Sequence, residues 1–511
     1  MFGPGVINEK VHPSTYLSSQ DVIMVVLAGA TTLLIYWISY CVFFHPLARY
    51  PGPLLAKFTN LYGAYHAWKG DIHIDILRCH CKFGVYVRYA PNRILINSPQ
   101  ALHDIYGHGA HVRKFDGYKI LSSHALNTLT LSNKVQHARR RRVISQAFSE
   151  SSLRMFESLI VSKLDNFCQI IRGTSLEGEW TVSQDMAENF NRLSFDLMTA
   201  LSFNLDYRTM EDPRHRPVMQ AIECSNIRLS VLWQAPALSL CRLDRMLMRD
   251  SSKAAQTFVV FLRDLLKSRL RQDESNNRDI FSFLQKCEDP ETGDKLSIKE
   301  LSAETATFIV AGSDTSSTAM AALIHYLAGS ARSYDRVTEE VRSTFASLDE
   351  IRLGKKINSC VFLRACLDEA LRLSPPGGGP LWRLVENDGT TIGDTFFPGG
   401  CEVGAGVYAM QNSPDNWENP TSFRPERWLE KGVNRPYFPF NIGPRSCVGK
   451  PLAVAQILLT IARLCWEFDF RRADAGVPVG MRDDEEPSQY VLKDHITGQK
   501  TGPLLCFCPR F

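Results

Sequence analysis

The chain has 511 residues, of which 44% are hydrophobic and 22% are charged. This composition is ordinary for a globular protein and excludes a disordered, collagen-like or coiled-coil chain. The 58 basic residues against 54 acidic ones give a formal net charge of only +4, which argues against nucleic acid as a partner. The 14 cysteines are scattered along the chain, so we expect reduced thiols facing the cytosol rather than a disulfide framework.

A long apolar segment lies near the N-terminus. Residues 22–44 are 23 consecutive residues without a charge, enough for a helix that crosses a bilayer and too long for the core of a cleaved signal peptide. Arg49 and Lys57 follow the segment, so the positive-inside rule puts the body of the chain in the cytosol. The predicted organisation is a luminal N-terminus over 1–21, a transmembrane anchor over 22–44, a proline-rich linker over 45–53 and one body over 54–511.

The body is predicted to be mostly helical. Residues 86–89 and 93–96 are short β-like runs separated by a turn and predict a hairpin. From about 134 to 345, apolar residues recur at the three- and four-residue spacing of helices. Further strand patterns occur at 381–385, 391–397 and 488–508, and a further helical pattern occurs at 451–466. The fold class is therefore mainly α with small peripheral β-sheets.

The most informative segment is residues 440–449, Phe-Asn-Ile-Gly-Pro-Arg-Ser-Cys-Val-Gly. Its glycines and proline predict a tight loop, and a helix is predicted to begin near Pro451. Cys447 therefore lies just ahead of a helix N-terminus, where free N–H groups and the positive end of the dipole favour a thiolate. Such a thiolate is a good axial ligand for heme iron, and Arg445 could reach a heme propionate. A buried structural thiol in a turn is the alternative.

This segment resembles the heme-binding signature of the cytochrome P450 heme-thiolate monooxygenases, Phe-x-x-Gly-x-Arg-x-Cys-x-Gly, at every fixed position. The resemblance implies a cytochrome P450 fold behind an N-terminal transmembrane helix, with residues 54–511 as the catalytic domain. It implies heme b as the cofactor, with its iron ligated by Cys447 and with Phe440, Arg445 and Gly449 beside it. In this family the thiolate pushes electron density onto iron and favours O–O cleavage.

A second block, Ala-Gly-Ser-Asp-Thr-Ser at 311–316, lies in a long helical run that starts near a Ser-x-x-Glu capping box. Thr315 is positioned to donate a hydrogen bond to the carbonyl of Ala311, and such a bond beside a glycine bends a helix. The resemblance implies that Thr315 and Asp314 deliver protons during dioxygen activation. A helix cap or a solvated polar face is the alternative.

A third block contains Glu369 and Arg372, which are three residues apart and so share one helix face before Pro375 and Pro376 end the helix. An exposed ion pair of this kind would contribute less than about 1 kcal/mol. The resemblance instead implies a buried triad with Arg427 that supports the heme pocket and performs no chemistry.

A fourth block, at 134–142, has four consecutive arginines after His137. It could be a localisation or nucleic-acid patch, or a solvated helix face. The resemblance implies that His137, Arg141 and Arg383 contact the heme propionates, while outward-facing arginines of this helix help to dock an acidic reductase.

The resemblance as a whole implies an NADPH- and O2-dependent monooxygenase in the endoplasmic reticulum membrane. Because no dinucleotide-binding fingerprint is present, electrons must come from an external NADPH–cytochrome P450 reductase, with cytochrome b5 as a second candidate partner. Residues 44–53 and 66–70 resemble the branch with which filamentous fungi tailor secondary metabolites, so a lipophilic terpenoid, polyketide or alkaloid is the expected substrate.

Three other functions remain open at this point. A heme-thiolate isomerase or dehydratase would use no dioxygen, but such enzymes often lack the helix threonine. A membrane-anchored, non-catalytic heme or ligand carrier would have no evident use for Asp314 and Thr315. A serine hydrolase lacks support because no Gly-x-Ser-x-Gly motif occurs.

The expected pocket walls come from several parts of the chain: 107–133, 203–245, Phe308, Ile309, Ala311, 377–382 and a turn near 493–500. The apolar run 231–240 could dip into the membrane as a route for the substrate, or it could be a helix pair packed on the core.

Overall fold

The computed structural model describes residues 19–121, 126–272, 279–430, 435–473 and 488–511. Of the predicted luminal segment 1–21, only residues 19–21 fall within these ranges. The chain divides into two compact units, Met1–Arg49 and Tyr50–Phe511.

The described part of the first unit is helical from Ser19 to Phe44. Helix α1 (Ser19–Ser39) continues into a π-helical turn, Tyr40–Phe44. Together they form a 26-residue apolar segment with a mean hydropathy of 2.1, and its most apolar part is not buried against the rest of the described chain. The span is thus long and apolar enough to cross a membrane, which is compatible with the predicted anchor.

The second unit contains the remaining described helices and all the described strands. The helices are α2 (Leu61–Lys69), α3 (Ile72–Phe83), α4 (Pro99–Tyr106), α5 (Lys134–Ser145), α6 (Glu150–Arg172), α7 (Met186–Phe203), α8 (Arg216–Gln234), α9 (Leu243–Leu247), α10 (Arg249–Leu270), α11 (Ile280–Lys286), α12 (Ile298–Gly329), α13 (Ala331–Thr344), α14 (Lys355–Ser359), α15 (Val361–Leu373), α16 (Val407–Asn412) and α17 (Lys450–Glu467). The strands are β1 (Tyr86–Ala90), β2 (Arg93–Ile96), β3 (Val112–Lys114), β4 (Gln184–Asp185), β5 (Arg383–Val385), β6 (Thr390–Ile392), β7 (Thr395–Phe397), β8 (Glu402–Gly404), β9 (Phe468–Arg472), β10 (Lys493–His495), β11 (Thr497–Gln499) and β12 (Leu504–Pro509).

The strands form four small sheets. The largest has five strands in the order β1-β2-β8-β5-β3, and only its β2–β8 pair is parallel. A three-stranded sheet has the order β4-β12-β9, and β6-β7 and β10-β11 are separate hairpins. The prediction of a mainly helical fold with small sheets is confirmed.

Helix α12 is the longest described helix, with 32 residues, and its side chains from Ser316 to Ala328 are all buried. The predicted capping box closes its first turn: the Glu300 N–H donates to Ser297 Oγ at 3.3 Å, and the Ser297 N–H donates to Glu300 Oε2 at 2.9 Å. Helix α7 packs so closely on α12 that a Cβ at Gly312 would lie 2.6 Å from Sδ of its Met198. Glycine at this position therefore allows the two helices to approach.

Two predictions of local structure concern strand pairs. Strands β1 and β2 form the predicted hairpin, in which Tyr86 pairs with Ile96. The strand pattern at 391–397 corresponds to two antiparallel strands, β6 and β7, with a turn at Gly393. Its φ of 57° lies in the left-handed region that glycine adopts without steric cost.

Candidate functional site

A cavity of about 400 Å³ lies in the second unit, within the range of about 300–1,000 Å³ that is common for ligand pockets. Its wall is largely apolar and comes from several elements, with Leu121, Phe148, Trp233, Phe308, Leu381 and Ile496 among its lining residues. Each predicted wall segment contributes lining residues. Ile309 is an exception, since it is fully buried in the hydrophobic core instead of facing the cavity.

The loop before α17 presents Cys447 to this cavity, and Phe440, Arg445 and Gly449 line the cavity beside it. The loop is closed by a hydrogen bond from the Cys447 N–H to the carbonyl of Phe440 at 2.8 Å. Gly443 has a φ of 68°, and a Cβ there would lie 2.1 Å from the carbonyl oxygen of Tyr106. The glycine is thus required both by the turn and by the close approach of α4.

The surroundings of Cys447 act on its thiol in opposite directions. Burial raises the pKa of the thiol, while the N–H groups of Gly449 and Lys450 and the positive charge of Arg141 oppose the rise. The predicted helix N-terminal stabilisation of a thiolate is therefore present, but the protein surroundings alone leave the pKa above its ordinary value because desolvation outweighs it.

Four cationic side chains meet beside the cavity: Lys114, Arg141, Arg383 and Arg445. Arg445 donates to the carbonyl of Leu131 at 2.7 Å. Within the described ranges, none of the four has a carboxylate within 4.0 Å, although ion pairs are common elsewhere in the unit.

The positive charge of this cluster is reflected in its pKa values. Burial, followed by repulsion from Arg383, lowers the pKa of Arg445 to about 10, and burial together with the neighbouring cations lowers that of the buried His137 to about 3. A buried group of cations with no carboxylate paired to it is costly. A heme has two propionates that would supply the missing negative charge, so the cluster and Cys447 together fit this cofactor.

Lys114 is the member of the cluster that the sequence did not reveal. It lies on β3, which pairs with β5 so that Lys114 is opposite Arg383. Its ammonium group donates to the carbonyls of Thr128 and Leu129 at 3.1 and 2.6 Å, and burial lowers its pKa well below the usual range. A lysine in a short strand gives no local signal, because its partner in the sheet is far away in the chain.

Thr315 also lines the cavity, from α12. Its hydroxyl donates the predicted hydrogen bond to the carbonyl of Ala311, at 2.6 Å. With its proton committed to this carbonyl, the hydroxyl oxygen can accept a hydrogen bond from a group in the cavity.

Asp314 is not brought to the cavity wall with Thr315. Its carboxylate lies in a buried polar cluster, where it accepts hydrogen bonds from Asn226 Nδ2 at 3.3 Å and from the hydroxyl of Thr497. The ammonium group of Lys500 completes the cluster, 3.5 Å from Asp314 Oδ1. The two residues predicted to act together thus face different surroundings.

The predicted triad is fully assembled. Glu369 and Arg372 are 0% exposed and form a two-pronged ion pair, with distances of 3.0 and 2.9 Å. Arg427 Nε donates to Glu369 Oε1 at 3.0 Å, and Trp428 Nε1, which the sequence did not single out, donates to Oε2 at 2.9 Å. The alternative of an exposed ion pair is therefore wrong.

The expectation of outward-facing arginines on α5 is wrong. Arg139 and Arg140 both pair with Glu300 in the first turn of α12, at 3.1 and 2.8 Å. Arg142 pairs with Asp289 at 2.6 Å. These side chains are 10–28% exposed, so they tie α5 to its neighbours instead of presenting free charges to a reductase.

The comparison with known proteins agrees with this site. The family model for Cytochrome P450 matches residues 51–490. Cytochrome P450 monooxygenase poxM of Penicillium oxalicum is 46% identical over 94% of this chain and 94% of its own length. Cytochrome P450 monooxygenases AKT7 of Alternaria alternata and atnE of Emericella nidulans are 39% and 40% identical, each over 92% of this chain and 94% of its own length.

A cavity that joins a loop cysteine, a buried group of cations and a helix threonine is what a heme-thiolate enzyme needs. The chain belongs to the cytochrome P450 family, and the resemblance predicted from residues 440–449 is confirmed. It is a heme-thiolate monooxygenase, as its relatives are.

Proposed function

We propose that this monooxygenase inserts one oxygen atom from O2 into a lipophilic secondary metabolite, such as a terpenoid, polyketide or alkaloid. The observation that carries the proposal is the largely apolar cavity that Cys447 and Thr315 both line. Such a wall favours apolar substrates through burial of their surface.

The cofactor in this proposal is heme b, with Cys447 as its axial iron ligand. Arg141, Arg383, Arg445 and His137 would hold the propionates, with Lys114 as a fifth contact, and Phe440 and Gly449 would pack beside the ligand cysteine. When bound, a thiolate-ligated heme supplies dioxygen activation and O–O cleavage. Glu369, Arg372 and Arg427 are structural supports of this pocket.

Thr315 and Asp314 handle protons in this proposal. The Thr315 oxygen accepts a hydrogen bond from a water molecule in the cavity and so fixes where that proton donor lies. Asp314 is held by Thr497 and Lys500 in the buried cluster, and in this proposal it relays protons toward Thr315. Burial raises the pKa of Glu223, on which Lys500 and Asp314 of this cluster act in opposite directions.

Electrons come from NADPH through an external cytochrome P450 reductase, with cytochrome b5 as a second donor. The enzyme is anchored in the endoplasmic reticulum membrane by residues 22–44, with residues 54–511 in the cytosol. Support for this location comes from the apolar span Ser19–Phe44 and from the two basic residues that follow it, Arg49 and Lys57.

The catalytic body also has exposed apolar side chains that suit a membrane surface. One group lies on and before α2, and the other lies around α9: Leu54, Leu55, Leu61, Tyr65 and Trp68, and Leu240, Leu243, Met246 and Leu247. Of the two alternatives for 231–240, packing on the core holds for its first half. Val231 and Trp233 are buried, so the exposed apolar surface begins only near Leu240.

The test is turnover of the full-length enzyme in microsomes with the reductase, NADPH and ¹⁸O₂, against a panel of fungal terpenoids, polyketides and alkaloids. The proposal expects a product that contains one ¹⁸O atom and forms only when both NADPH and the reductase are present. A product formed without NADPH would identify an isomerase or dehydratase. Tight binding without conversion of any panel member would favour the carrier.

A further inference from the structure

The cavity has one acidic side chain in an otherwise apolar region. Asp494, on β10, lines the cavity together with Ala67, Ile72 and Ile496. It is 6% exposed, and it is the only carboxylate among the lining residues that the structure describes.

The Asp494 carboxyl group lacks a full set of partners. No donor in the described ranges forms a hydrogen bond with its Oδ2, and no lysine, arginine or histidine nitrogen there lies within 4.0 Å of the group. The N–H groups of Gly378, Gly379 and Ile496 are directed at the carboxyl group and oppose the effect of burial, which nevertheless raises its pKa to about 6.

The carboxyl group is nevertheless held in a fixed position. The Asp494 N–H donates to the carbonyl of Gly70 at 2.8 Å, and the Gly498 N–H, from β11, donates to the carbonyl of Pro376 at 2.6 Å. His495 Nδ1 lies 2.9 Å from the carbonyl oxygen of Ala67. The β10–β11 hairpin is therefore attached both to the end of α2 and to the segment after α15.

The glycine-rich segment at 377–379 makes room for this group. A Cβ at Gly378 would lie 3.2 Å from Asp494 Oδ2, and one at Gly379 would lie 3.3 Å from the same atom, both closer than ordinary van der Waals contact. These glycines fit no dinucleotide-binding pattern. Their small size instead lets the backbone pass beside a carboxyl group that faces the cavity.

A buried acceptor without a donor destabilises a protein unless a ligand supplies the donor. We propose that Asp494 accepts a hydrogen bond from a donor group on the substrate, so that the enzyme selects lipophilic molecules that carry a hydroxyl, an amide N–H or a protonated amine. This inference rests on the proposed function, since it describes the substrate of the same cavity. The competing explanation is that Asp494 only fastens the glycine segment.

The experiment compares binding of matched ligands to the full-length, heme-loaded enzyme without NADPH or reductase. The probes are pairs built on one terpenoid or polyketide scaffold: the alcohol, its methyl ether and the corresponding primary amine. Dissociation constants are measured by calorimetry for the wild type, Asp494→Asn and Asp494→Leu. Ile496→Val is the matched control, because Ile496 lies in the same hairpin and lines the same cavity with an apolar side chain.

The wild type should bind the alcohol or the amine about tenfold more tightly than the ether, since a hydrogen bond to a charged group strengthens binding by about this factor. Asp494→Leu should abolish the preference. Asp494→Asn should keep the preference for the alcohol, whose donor is neutral, and should abolish the preference for the amine, whose donor is cationic. Ile496→Val should change the affinities for all three ligands equally. An equal preference in wild type and Asp494→Leu, or no preference in the wild type, would overturn the proposal.

A second measurement needs no ligand. If Asp494 serves the substrate, the substrate-free Asp494→Asn enzyme should unfold at the same temperature as the wild type or a higher one. A clearly lower unfolding temperature would show that the carboxylate fastens the glycine segment, and would also overturn the proposal. Because neither measurement involves turnover, both report on Asp494 even if the expected oxygenation is not found.

Discussion

At the scale of single residues, the chemistry depends on a few polar groups that face an apolar cavity. Cys447 and Thr315 reach it from different elements, the loop before α17 and the middle of α12. The Thr315 hydroxyl is oriented by its hydrogen bond to Ala311, so its acceptor side is available to the cavity. A hydroxyl fixed in this way can hold a proton donor without moving during the reaction.

Replacing this hydroxyl should uncouple electron use from product formation. Thr315→Ala should lower the product formed per NADPH consumed by about tenfold or more, because a positioned proton-transfer group contributes roughly 10²–10⁴ in rate. The ratio is measured from NADPH oxidation and product yield. Thr305→Ala is the matched control, since Thr305 makes the same bond to Leu301, at 2.8 Å, on a buried turn of α12. Equal coupling in both variants would contradict the role of Thr315.

The cation cluster gives a second prediction for a single residue. Arg445→Leu should increase the rate of heme loss by about tenfold, because a hydrogen bond to a charged group contributes about 1.5–3 kcal/mol. The rate is measured by transfer of heme to an acceptor protein. Arg445→Lys should restore part of the retention, and Arg139→Leu, which changes an arginine paired with Glu300, should have little effect. Unchanged heme loss in Arg445→Leu would exclude a propionate contact.

At the scale of elements, the heme loop depends on supports that lie outside the cavity. The Glu369 carboxylate on α15 accepts hydrogen bonds from Arg372 of its own helix. It also accepts hydrogen bonds from Arg427 and Trp428 of the short 3-10 helix Pro425–Trp428. Arg372 also donates to the carbonyl of Gln411 at 2.8 Å. The buried pair of Glu369 and Arg372 therefore joins α15 to α16 and to the 3-10 helix Pro425–Trp428, which precedes the cysteine loop in the chain.

Removing the charge of that carboxylate should destabilise the whole unit. Glu369→Gln should lower stability by about 3–5 kcal/mol, because it leaves two buried arginines without their counter-ion. Thermal unfolding of the full-length enzyme in detergent measures the loss. Glu426→Gln is the control, since Glu426 pairs with the exposed Arg332 and Arg336. This variant should lower stability by less than about 1 kcal/mol. Similar losses in the two variants would contradict the account of the triad.

The elements also show which interactions could be predicted from the sequence. The capping box of α12, the bond from Thr315 to Ala311 and the pair of Glu369 with Arg372 all join residues three or four apart, so helix geometry alone predicts them. Lys500 is 186 residues from Asp314, its partner. Nothing in the local sequence reports such a pair, because it exists only once the C-terminal hairpin has packed on α12.

The same limit explains the error about the arginines of α5. On the sequence, four consecutive arginines without nearby acids indicate a solvated or docking surface. In the fold, Glu300 and Asp289 pair with Arg139, Arg140 and Arg142 from parts of the chain about 150 residues away. Lys114 and Asp494 were missed for a related reason, since each is unremarkable in a short strand and gains its importance from what the fold brings beside it.

At the scale of the whole molecule, buried histidines make stability depend on pH. His73, His80 and His325 each have a pKa lowered by burial from 6.5 to about 4. The unfolded chain therefore binds more protons than the folded one between these values, and stability falls as the pH falls through that window. Each histidine contributes about 1.4 kcal/mol per pH unit inside it. The pKa of Asp494 is raised from 3.8 to about 6. This shift has the opposite effect on stability and offsets the contribution of at most one of the three histidines.

The unfolding temperature of the full-length enzyme should therefore decrease between pH 6.5 and pH 4.5. His80→Gln should reduce the dependence, because Gln has no proton to bind in this range. His111→Gln, at an exposed position, should leave it unchanged. A constant unfolding temperature over this interval would contradict the burial of uncharged histidines.

A carbon monoxide difference spectrum of reduced microsomes tests whether Cys447 is the thiolate ligand of a heme. We expect a Soret band at the red-shifted thiolate position for the wild type and for Cys506→Ser, which makes the same change in β12, away from the cavity. Cys447→Ser should lose this band while keeping much of the helical fold, as measured by circular dichroism. A wild-type band at the imidazole position, or a thiolate band that persists in Cys447→Ser, would contradict the assignment.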